Sequence, residues 1–542
     1  MIFRLFFIIS LFTLANAAWS APISDTDFAH SLQDLSQKSF TKKSLAIQHI
    51  SEQEHPQIPV ILEALLNNNL YYLKSNKQVI IVNKNDDTMS AIDAASKISL
   101  DNFSKYSAKK IAVNNKLRKQ LRTLIAQISL KHPDPQQRLI AAKNLRENPS
   151  AANVLLLENA LLSESDDQVK AIMQEALNIS KALDTDAELT ERLSAINALK
   201  GTLSNDARNA LQKLSSTEED GSYIYTEEIA KSAKKTYQNI ESSLQLYSIA
   251  ETAFFGLSLG SVLLLAAIGL AITFGVMGVI NMAHGEMMMI GAYTVYVMQL
   301  IMPNFITTSL WIAIPMAFLV SAIIGILMER LVIRHLYGRP LETLLATFGI
   351  SLVLQQLVRT IFSPLNKEVI TPEFMTGSLQ INEALSFTYN RLYIIVFALI
   401  IFAAVLYIMK KTTLGLQVRA VTQNRQMAKA MGIKTDRIDM ITFGLGSGLA
   451  GIAGVALSQL TNVGPNLGQA YIVDAFMVVV FGGVGNLWGT LIAAFSLGGL
   501  TKFIEPIQGA VLAKVIILVL IILFIQKRPR GLFPQSGRDA ES

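Results

Sequence analysis

The sequence contains no cysteine, which excludes disulfides, thiolate metal sites and cysteine nucleophiles. Charged side chains are also scarce, at 16% of the 542 residues, whereas apolar residues make up 51%. That balance is unusual for a soluble protein of this size. The net charge of +6 is modest and does not indicate a nucleic-acid partner. Together these shortages favour a membrane protein.

Two signatures of catalysis are also missing, the phosphate-binding loop GxxxxGK[ST] and the zinc motif HExxH. Any activity driven by ATP would therefore need another chain. His284 and Glu286 leave an intramembrane enzyme as an alternative, but no nucleophile or set of metal ligands accompanies them. We therefore predict a protein that is not an enzyme and has no metal site or cofactor of its own.

No residue between Thr252 and Ala283 is charged, and this stretch is long enough to cross a bilayer of about 30 Å. Similar segments follow to near the C-terminus, whereas residues 22–245 are polar and charge-rich. The predicted fold class is all-α: a polytopic helical membrane domain at 246–535, preceded by a soluble helical domain at 22–245 with a linker at its end. We expect about eight or nine membrane segments, within 253–278, 287–302, 308–328, 343–362, 391–409, 437–460, 471–500 and 511–526.

The first 21 residues have the pattern of a secretory signal peptide. Arg4 gives a short positive start, Leu5–Leu14 is a brief apolar run, and Ala15–Ala17 offers small residues for cleavage. An uncleaved membrane anchor is the alternative, although the run is shorter than the ~20 residues of a spanning helix. The signal predicts export of the domain that follows it.

Helical periodicity organises the exported domain. Asp134 and Asp166 each precede an apolar helical pattern, about one helical hairpin apart, and such acidic residues are good helix starts. The arrangement resembles HEAT-like repeats over Ala112–Leu214, with an irregular helical bundle as the alternative. Strand-like alternation is clear only near Lys77–Val82.

Positive charge predicts the orientation of the membrane domain, since cytoplasmic loops carry an excess of Lys and Arg. If each segment crosses once, the basic loops all lie on one face, with the exported domain on the other. We therefore expect a multi-pass protein of the bacterial inner membrane, with a periplasmic N-terminal domain and a cytoplasmic tail at 536–542. The basic residues concerned are Arg330, Arg334, Arg339, Lys410, Lys411, Arg419, Arg425, Lys429, Lys434, Arg437, Lys527, Arg528 and Arg530.

Two breaks combine glycine with polar residues inside apolar surroundings, at comparable places in the two halves of the membrane domain. Glycine-interrupted segments in paired positions indicate a substrate path built from internal repeats. The alternative is that both are cytoplasmic turns between short helices. The first break places Glu286 near the cytoplasmic end of the first crossing, where we expect it to be solvated or to cap a helix. The predicted path residues are Asn281, His284, Gly285, Gly482, Gly483, Gly485 and Asn486.

The long basic loop 410–437 carries an interrupted apolar face, and Gly432 is predicted to end its helix. Such an amphipathic helix can lie on anionic lipid or dock into the groove of a partner protein.

Three separated motifs, GVINMAHGEMMMIGAY, LGLQVRAVTQNRQMAKAMGI and VVVFGGVGNLWGTLIAA, resemble the permeases of ATP-binding-cassette importers for branched-chain amino acids. The resemblance covers about 250–535. An exported helical domain ahead of such a permease looks like the urea-transport branch. The family implies a second permease paralogue, two ATPase subunits that bind ATP and Mg, and a periplasmic solute-binding protein. It also implies an ATPase-coupling loop, here Arg419, Ala420, Asn424, Met427, Ala428, Met431 and Gly432.

The function predicted from these observations is the permease subunit of an importer for a small polar solute, with urea favoured. A branched-chain amino acid or a short amide is the alternative solute. A membrane-anchored periplasmic receptor or scaffold is the alternative class. The paired glycine breaks and the helical basic loop argue against simple anchoring.

Overall fold

The structure is a computed structural model that describes residues 25–53, 55–85, 88–100, 107–218 and 222–533. The chain divides into two compact units, Met1–Ser243 and Leu244–Ser542. The predicted signal peptide at 1–21 and the predicted tail at 536–542 lie outside the described residues. The described residues are mainly helical, which confirms the predicted all-α fold class.

The first unit contains a sheet that the sequence analysis did not predict. It is antiparallel, with strand order β4-β3-β2-β1-β5. The predicted alternation near Lys77–Val82 falls largely on β2, but the other strands span only two to six residues, too few for a clear period-two pattern. The strands are β1 Leu70–Leu73, β2 Val79–Asn85, β3 Thr88–Asp93, β4 Ser99–Leu100 and β5 Ala108–Lys110.

The helices of the first unit begin where their caps predict. The Asp134 side chain accepts a 3.0 Å hydrogen bond from the Gln136 amide, and Asp166 accepts one of 2.9 Å from the Gln168 amide. Both predicted helix starts are confirmed, whereas HEAT-like stacking stays a prediction. The helices are α1 Asp25–Gln33, α2 Phe40–Ser51, α3 Ile58–Leu66, α4 Asn115–Ser129, α5 Pro135–Glu147, α6 Ala152–Ser163, α7 Asp167–Leu183, α8 Leu189–Ala198 and α9 Asn205–Leu214.

A helix of 51 residues, α10 at Glu227–Met277, begins within the polar end of the first unit and continues into the second unit. Within the described ranges, seven helices are long and apolar enough to cross a membrane: α10, α12 Ile306–Leu331, α13 Pro340–Phe362, α14 Tyr389–Lys411, α17 Thr435–Ser458, α19 Leu487–Gln508 and α20 Ala510–Lys527.

Four further helices and a hairpin complete the second unit. The predicted segment 471–500 is two helices, because the chain leaves helical geometry after Gly482 and resumes it at Leu487. The predicted basic amphipathic helix is also split in two. The additional elements are α11 His284–Ile301, β6 Ser378–Asn382, β7 Leu385–Thr388, α15 Thr413–Gln423, α16 Arg425–Ala430 and α18 Leu467–Gly482.

Close contacts at glycines show the relative direction of helices α10 and α19. A Cβ on Gly256 would lie 2.8 Å from the Cα of Gly499, and one on Gly275 would lie 2.6 Å from the Cα of Gly485. Helix α10 is therefore antiparallel to α19, which lies close enough to require glycine at these crossings. The end of α12 and the start of α17 meet at what we call the basic end. The bridge between Lys367 and Val463 lies at the other end, here called the distal end.

Helix α17 is the centre of the second unit. It is buried along most of its length and packs against both α11 and α12. Gly451 faces α12, where a Cβ would lie 2.5 Å from the Ala317 carbonyl oxygen. In contrast, α13, α14 and α20 are largely exposed and present apolar side chains outward. Such faces suit lipid or other membrane helices.

Candidate translocation site and coupling surface

The first glycine break is a re-entrant segment. Gly278, at φ +66°, ends α10, and its amide donates a 2.9 Å bond to the Phe274 carbonyl. The chain then runs without helical structure until α11 begins at His284. The His284 ring donates from Nε2 to the carbonyl oxygen of Ala266, at 2.9 Å. Ala266 lies eleven residues before Met277, which is roughly 16 Å along a helix axis. The break therefore turns back along α10, and α11 starts deep inside the unit.

Glu286 lies in the first turn of α11 and is 1% exposed. Its Oε1 accepts hydrogen bonds from the Ser351 hydroxyl at 2.8 Å and from the Gln355 amide at 2.7 Å, both on α13. The expectation that Glu286 is solvated was wrong. It treated the break as a turn at the membrane surface, whereas the segment re-enters the unit and carries the carboxyl group into its interior.

The start of α11 is joined to α13 at a second point. The Thr347 hydroxyl receives a 3.1 Å bond from the Met282 amide and lies 3.4 Å from the Ile280 carbonyl. Asn281 is 2% exposed, and its side-chain oxygen accepts a 3.0 Å bond from the Ala283 amide. Non-helical backbone at membrane depth needs such partners within the protein.

Three buried polar atoms around this helix start have no hydrogen-bond partner among the described residues: Asn281 Nδ2, His284 Nδ1 and Glu286 Oε2. The N-terminus of α11 adds backbone N–H groups and the positive end of a helix dipole. Half-helices that start at the membrane midplane provide solute contacts in many transporters. The arrangement can therefore hydrogen-bond a polar solute when the surrounding helices separate.

Gly285, which we predicted to line the path, is a packing residue in this conformation. A Cβ on Gly285 would lie 2.6 Å from the carbonyl oxygen of Gly468 at the start of α18. One turn and a half further along α11, a Cβ on Gly291 would overlap with Gly451 of α17. Both glycines allow backbones to approach closely, as small residues do between membrane helices.

The second break lies at the basic end and is a tight turn. Gly483 and Gly485 have φ of +101° and +80°, which disfavours any other residue there. Asn486 caps α19 by accepting a 3.1 Å bond from the Gly489 amide, and it donates a 3.3 Å bond to the Phe533 carbonyl. Gly482 packs on Gly489, where a Cβ would lie 2.5 Å from its carbonyl oxygen.

The two breaks are therefore different in kind, and their polar residues do not form one cluster. His284 contacts α10 and Met282 contacts α13 in the interior, whereas Gly485 packs on Gly275 near the end of α10. The alternative of a turn between short helices describes the second break. It does not describe the first break, because that segment re-enters the interior of the unit although the two breaks hold comparable positions in the sequence.

Gly485 and Asn486 contribute instead to a cavity of about 360 Å³ at the basic end. Its other walls come from α10, α14, α15 and the start of α19, and they include Lys410, Arg419 and Trp488. The cavity thus joins residues from the predicted path and from the predicted coupling loop.

The predicted coupling loop forms two helices because Asn424 breaks the helical path between them. Asn424 has extended backbone geometry and caps α16, accepting a 2.9 Å bond from the Met427 amide. Gly432, at φ +87°, follows the last turn of α16, so the predicted helix stop is confirmed. Ala428 is buried against Val418 and Ile438.

The outer surface of these two helices carries apolar side chains that are exposed to solvent. Met427 is 61% exposed and Met431 is 80% exposed. Arg419 and Ala420 belong to the preceding helix α15, and the Arg419 guanidinium donates to the Met409 carbonyl. Exposed methionines of this kind suit an adaptable protein contact.

Arg425 fixes this surface to the membrane helices. Its guanidinium pairs with Asp439 of α17, donates a 2.8 Å bond to the Tyr337 hydroxyl and stacks 4.1 Å from the centre of the Tyr337 ring. Asp439 is buried, and Arg425 is the cation that neutralises it.

Sequence reasoning did not assign roles to several of these residues. Ser351, Gln355 and Thr347 contact the α11 start, and Arg425 with Asp439 anchors the helices of the predicted coupling loop. For Ser351, Gln355, Thr347 and Asp439 the signal was a polar residue within an apolar segment, which is expensive in a membrane. Their partners could not be assigned, because the contacts join segments 14 to 69 positions apart.

The helices and the re-entrant start of α11 define a polytopic α-helical membrane protein with the architecture of a transporter. The chain belongs to the family described as branched-chain amino acid transport system / permease component, whose profile matches residues 252–525. It is thus a permease component of an ATP-binding-cassette importer and not an enzyme.

Curated relatives agree with this assignment. The chain is 29% identical over 300 residues to the high-affinity branched-chain amino acid transport system permease protein BraD of Pseudomonas aeruginosa, covering 53% of this chain and 96% of BraD. It is 29% identical over 305 residues to LivH of Escherichia coli K12, covering 54% and 97%. The ribose import permease protein RbsC of the same organism matches over 140 residues at 29% identity, covering 24% and 44%. No solved structure matches the chain.

Proposed function

We propose that this chain forms one side of the membrane path of an importer that takes up branched-chain amino acids. The observation that supports a path is the start of α11, where a helix begins in the interior beside buried polar groups. The family description and the printed names of BraD and LivH support the solute. A second permease chain, a paralogue of this one, completes the path.

In this proposal the basic end faces the cytoplasm. The ends of α12, α14 and α20 and the loop 410–437 place most of the basic residues there, as the positive-inside rule expects. The distal end and the first unit then lie in the periplasm of a bacterial inner membrane, where a solute-binding protein delivers the cargo.

Two cytoplasmic ATPase subunits, which bind ATP and Mg, supply the energy in this proposal. One of them contacts the exposed face of α16 and the turn that follows it, through Met427 and Met431. Arg425 passes the movement to α17 through Asp439, and α17 packs against α11. This route connects the ATPase surface to the polar residues of the α11 start through contacts on a single chain.

Urea is the second candidate solute. The first unit lies outside the family match, and BraD is covered almost completely by only half of this chain. The first unit is therefore additional to the machinery of the relatives, which is consistent with a different solute-binding protein or cargo. Exported helical domains of this kind led us to favour urea from the sequence.

Uptake of radiolabelled solutes tests both candidates. A strain that lacks the transporter is complemented with the full set of subunits, and uptake of leucine, urea and a short amide is measured. Leucine uptake that depends on the intact chain supports the proposal. Uptake of urea without leucine overturns the amino-acid assignment in favour of urea. Deleting residues 22–245 while keeping the signal then tests whether the first unit contributes.

A further inference from the structure

Three consecutive helices, α18 to α20, are almost free of charge. Asp474 is the only charged residue of α18, Lys502 and Glu505 are the only ones of α19, and α20 carries Lys514 besides its terminal Lys527. These four side chains lie on three helices, within a span of 41 residues of the sequence. All four line one cavity of about 230 Å³ towards the distal end.

The charges form two ion pairs within the cavity wall. Lys514 Nζ lies 2.7 Å from Asp474 Oδ2, and Lys502 Nζ lies 2.6 Å from Glu505 Oε2. Lys514 also donates a 3.3 Å bond to the Ala470 carbonyl. The remaining wall is mainly apolar, and its larger members are Leu259, Leu263, Tyr471, Met477, Leu497 and Ile517.

A contribution to the stability of the fold does not explain these two ion pairs well. Both are partly exposed, and ion pairs of this kind contribute little to stability. Placing an ionisable residue in a membrane helix is costly, and the cost exceeds what such a pair returns. Two pairs directed at one cavity therefore call for a functional explanation.

We propose that this cavity binds an aliphatic α-amino acid in its zwitterionic form. The proposal rests on the branched-chain amino acid function proposed above and names a place where the solute is held on its way in. The solute carboxylate pairs with Lys502 and Lys514, and its ammonium group pairs with Asp474 and Glu505. The aliphatic side chain lies against the apolar wall, including Leu263 and Leu497.

Charge and size both fit this solute. Two lysines and two carboxylates make the wall neutral, so a zwitterion adds an opposite partner for each sign without leaving a net charge in the membrane. The volume lies below the roughly 300–1,000 Å³ of pockets for drug-sized ligands, as a single amino acid requires. Urea has neither a charged group for the ion pairs nor an alkyl group for the apolar wall.

The cavity also lies on the expected route. Lys502 is six residues before the end of α19, which is roughly 9 Å along the helix. The site is therefore below the distal surface, where the proposed orientation places the solute-binding protein. It is separated from the α11 start by α10 and α18, so it is a first stop before the deeper polar residues.

The test uses the complete transporter reconstituted in proteoliposomes, with its ATPase and solute-binding subunits. Initial rates of [³H]leucine uptake give KM and kcat for the parent chain and for Lys502→Met and Lys514→Met. Lys367→Met is the matched control, because it removes a lysine of the distal end outside the cavity. Leucinamide, which lacks the carboxylate, and 4-methylpentanoate, which lacks the ammonium group, serve as competitors.

We expect at least a tenfold rise in KM for both cavity lysine variants and no change for Lys367→Met. We also expect each cavity variant to lose the preference for leucine over leucinamide. The double variant Asp474→Lys/Lys514→Asp keeps an ion pair but exchanges its signs. It therefore distinguishes a loss of solute binding from a loss of folded protein. A high KM in this variant at normal membrane abundance supports the site.

Three results overturn the proposal. Full recovery of KM in the exchanged pair would assign the charges a structural role only. An unchanged KM in both lysine variants, while the parent chain transports leucine, rejects the cavity and leaves the proposed function in place. Absence of leucine uptake by the parent chain, with urea taken up, rejects the proposed solute and this site together.

Discussion

Glu286 accepts a 2.7 Å hydrogen bond from Gln355, and this contact joins the first turn of α11 to the middle of α13. Both side chains are buried, at 1% and 3% exposure. A half-helix that starts inside the unit has no surface water for its first turn, so neighbouring helices must supply its polar contacts. The pair holds the polar start of α11 in place.

Replacing Gln355 with leucine is expected to abolish most uptake and to lower stability. The substitution keeps the volume but removes the amide donor, which leaves the Glu286 carboxyl group short of a partner at a cost of about 1–3 kcal/mol. Thermal unfolding of the purified permease complex measures the stability. Gln356→Leu is the control, because that neighbouring side chain points outward. Equal loss in both variants would contradict a specific role for the Gln355 contact.

Gly291 is expected to tolerate no larger residue. A Cβ there would overlap with the backbone of Gly451, so Gly291→Val forces α11 and α17 apart. We predict loss of folded protein from the membrane. A fluorescent fusion measures it, as the fraction of detergent-solubilised protein that remains monodisperse. Gly349→Val is the matched control, since a Cβ on that membrane-helix glycine meets nothing within 4 Å. Normal folding of the Gly291 variant would show that the two helices can separate freely.

Arg425→Ala and Met427→Ala should affect ATPase coupling in different ways. Removing Arg425 leaves the buried Asp439 carboxylate unpaired, which typically costs about 3–5 kcal/mol. We expect it to lower both stability and uptake. Removing the exposed Met427 side chain should leave stability unchanged and weaken ATPase co-purification.

Unfolding temperature and co-purified ATPase, measured on the same preparations, distinguish the two effects. Leu416→Ala, which removes an exposed apolar side chain of the preceding helix α15, tests whether the contact is specific to the α16 surface. Retention of the ATPase by the Met427 variant at the level of the parent chain would remove this face from the contact.

The first unit should lose local stability at acid pH through Glu164. Hydrogen bonding from Arg138 holds the pKa of the Glu164 carboxyl below its usual range, against the opposing effect of burial. Its contribution is therefore present above the unfolded pKa of about 4.3 and is lost as pH falls through the lower folded value. Hydrogen exchange of α5 in the full chain, corrected for intrinsic rates, should show protection falling below about pH 4.

Arg138→Gln provides the comparison for this pH dependence. The variant should exchange faster near neutral pH and show a smaller further change on acidification, because the carboxylate has already lost its charged partner. A parallel acid-induced loss of protection in both proteins would assign the effect to other carboxyl groups.

Much of the membrane unit could be predicted from the sequence. The apolar lengths located the helices, and the three motifs identified the family, because both are properties of continuous stretches of chain. Caps at Asp134 and Asp166 and the helix stop at Gly432 are equally local. The sheet of the first unit was missed because its strands are too short to show a period, and urea specificity remains a proposal.

The sequence by itself determined that this chain crosses a membrane many times, needs another chain for ATP, and belongs to its permease family. Only the tertiary structure decided which polar residues meet. It placed Glu286 inside against α13, made Gly482–Asn486 a turn at the basic end, and brought Asp474, Lys502, Glu505 and Lys514 to one cavity. Hydropathy reports the average surroundings of a segment, whereas depth and partners depend on how the chain re-enters and how closely glycines let helices pack.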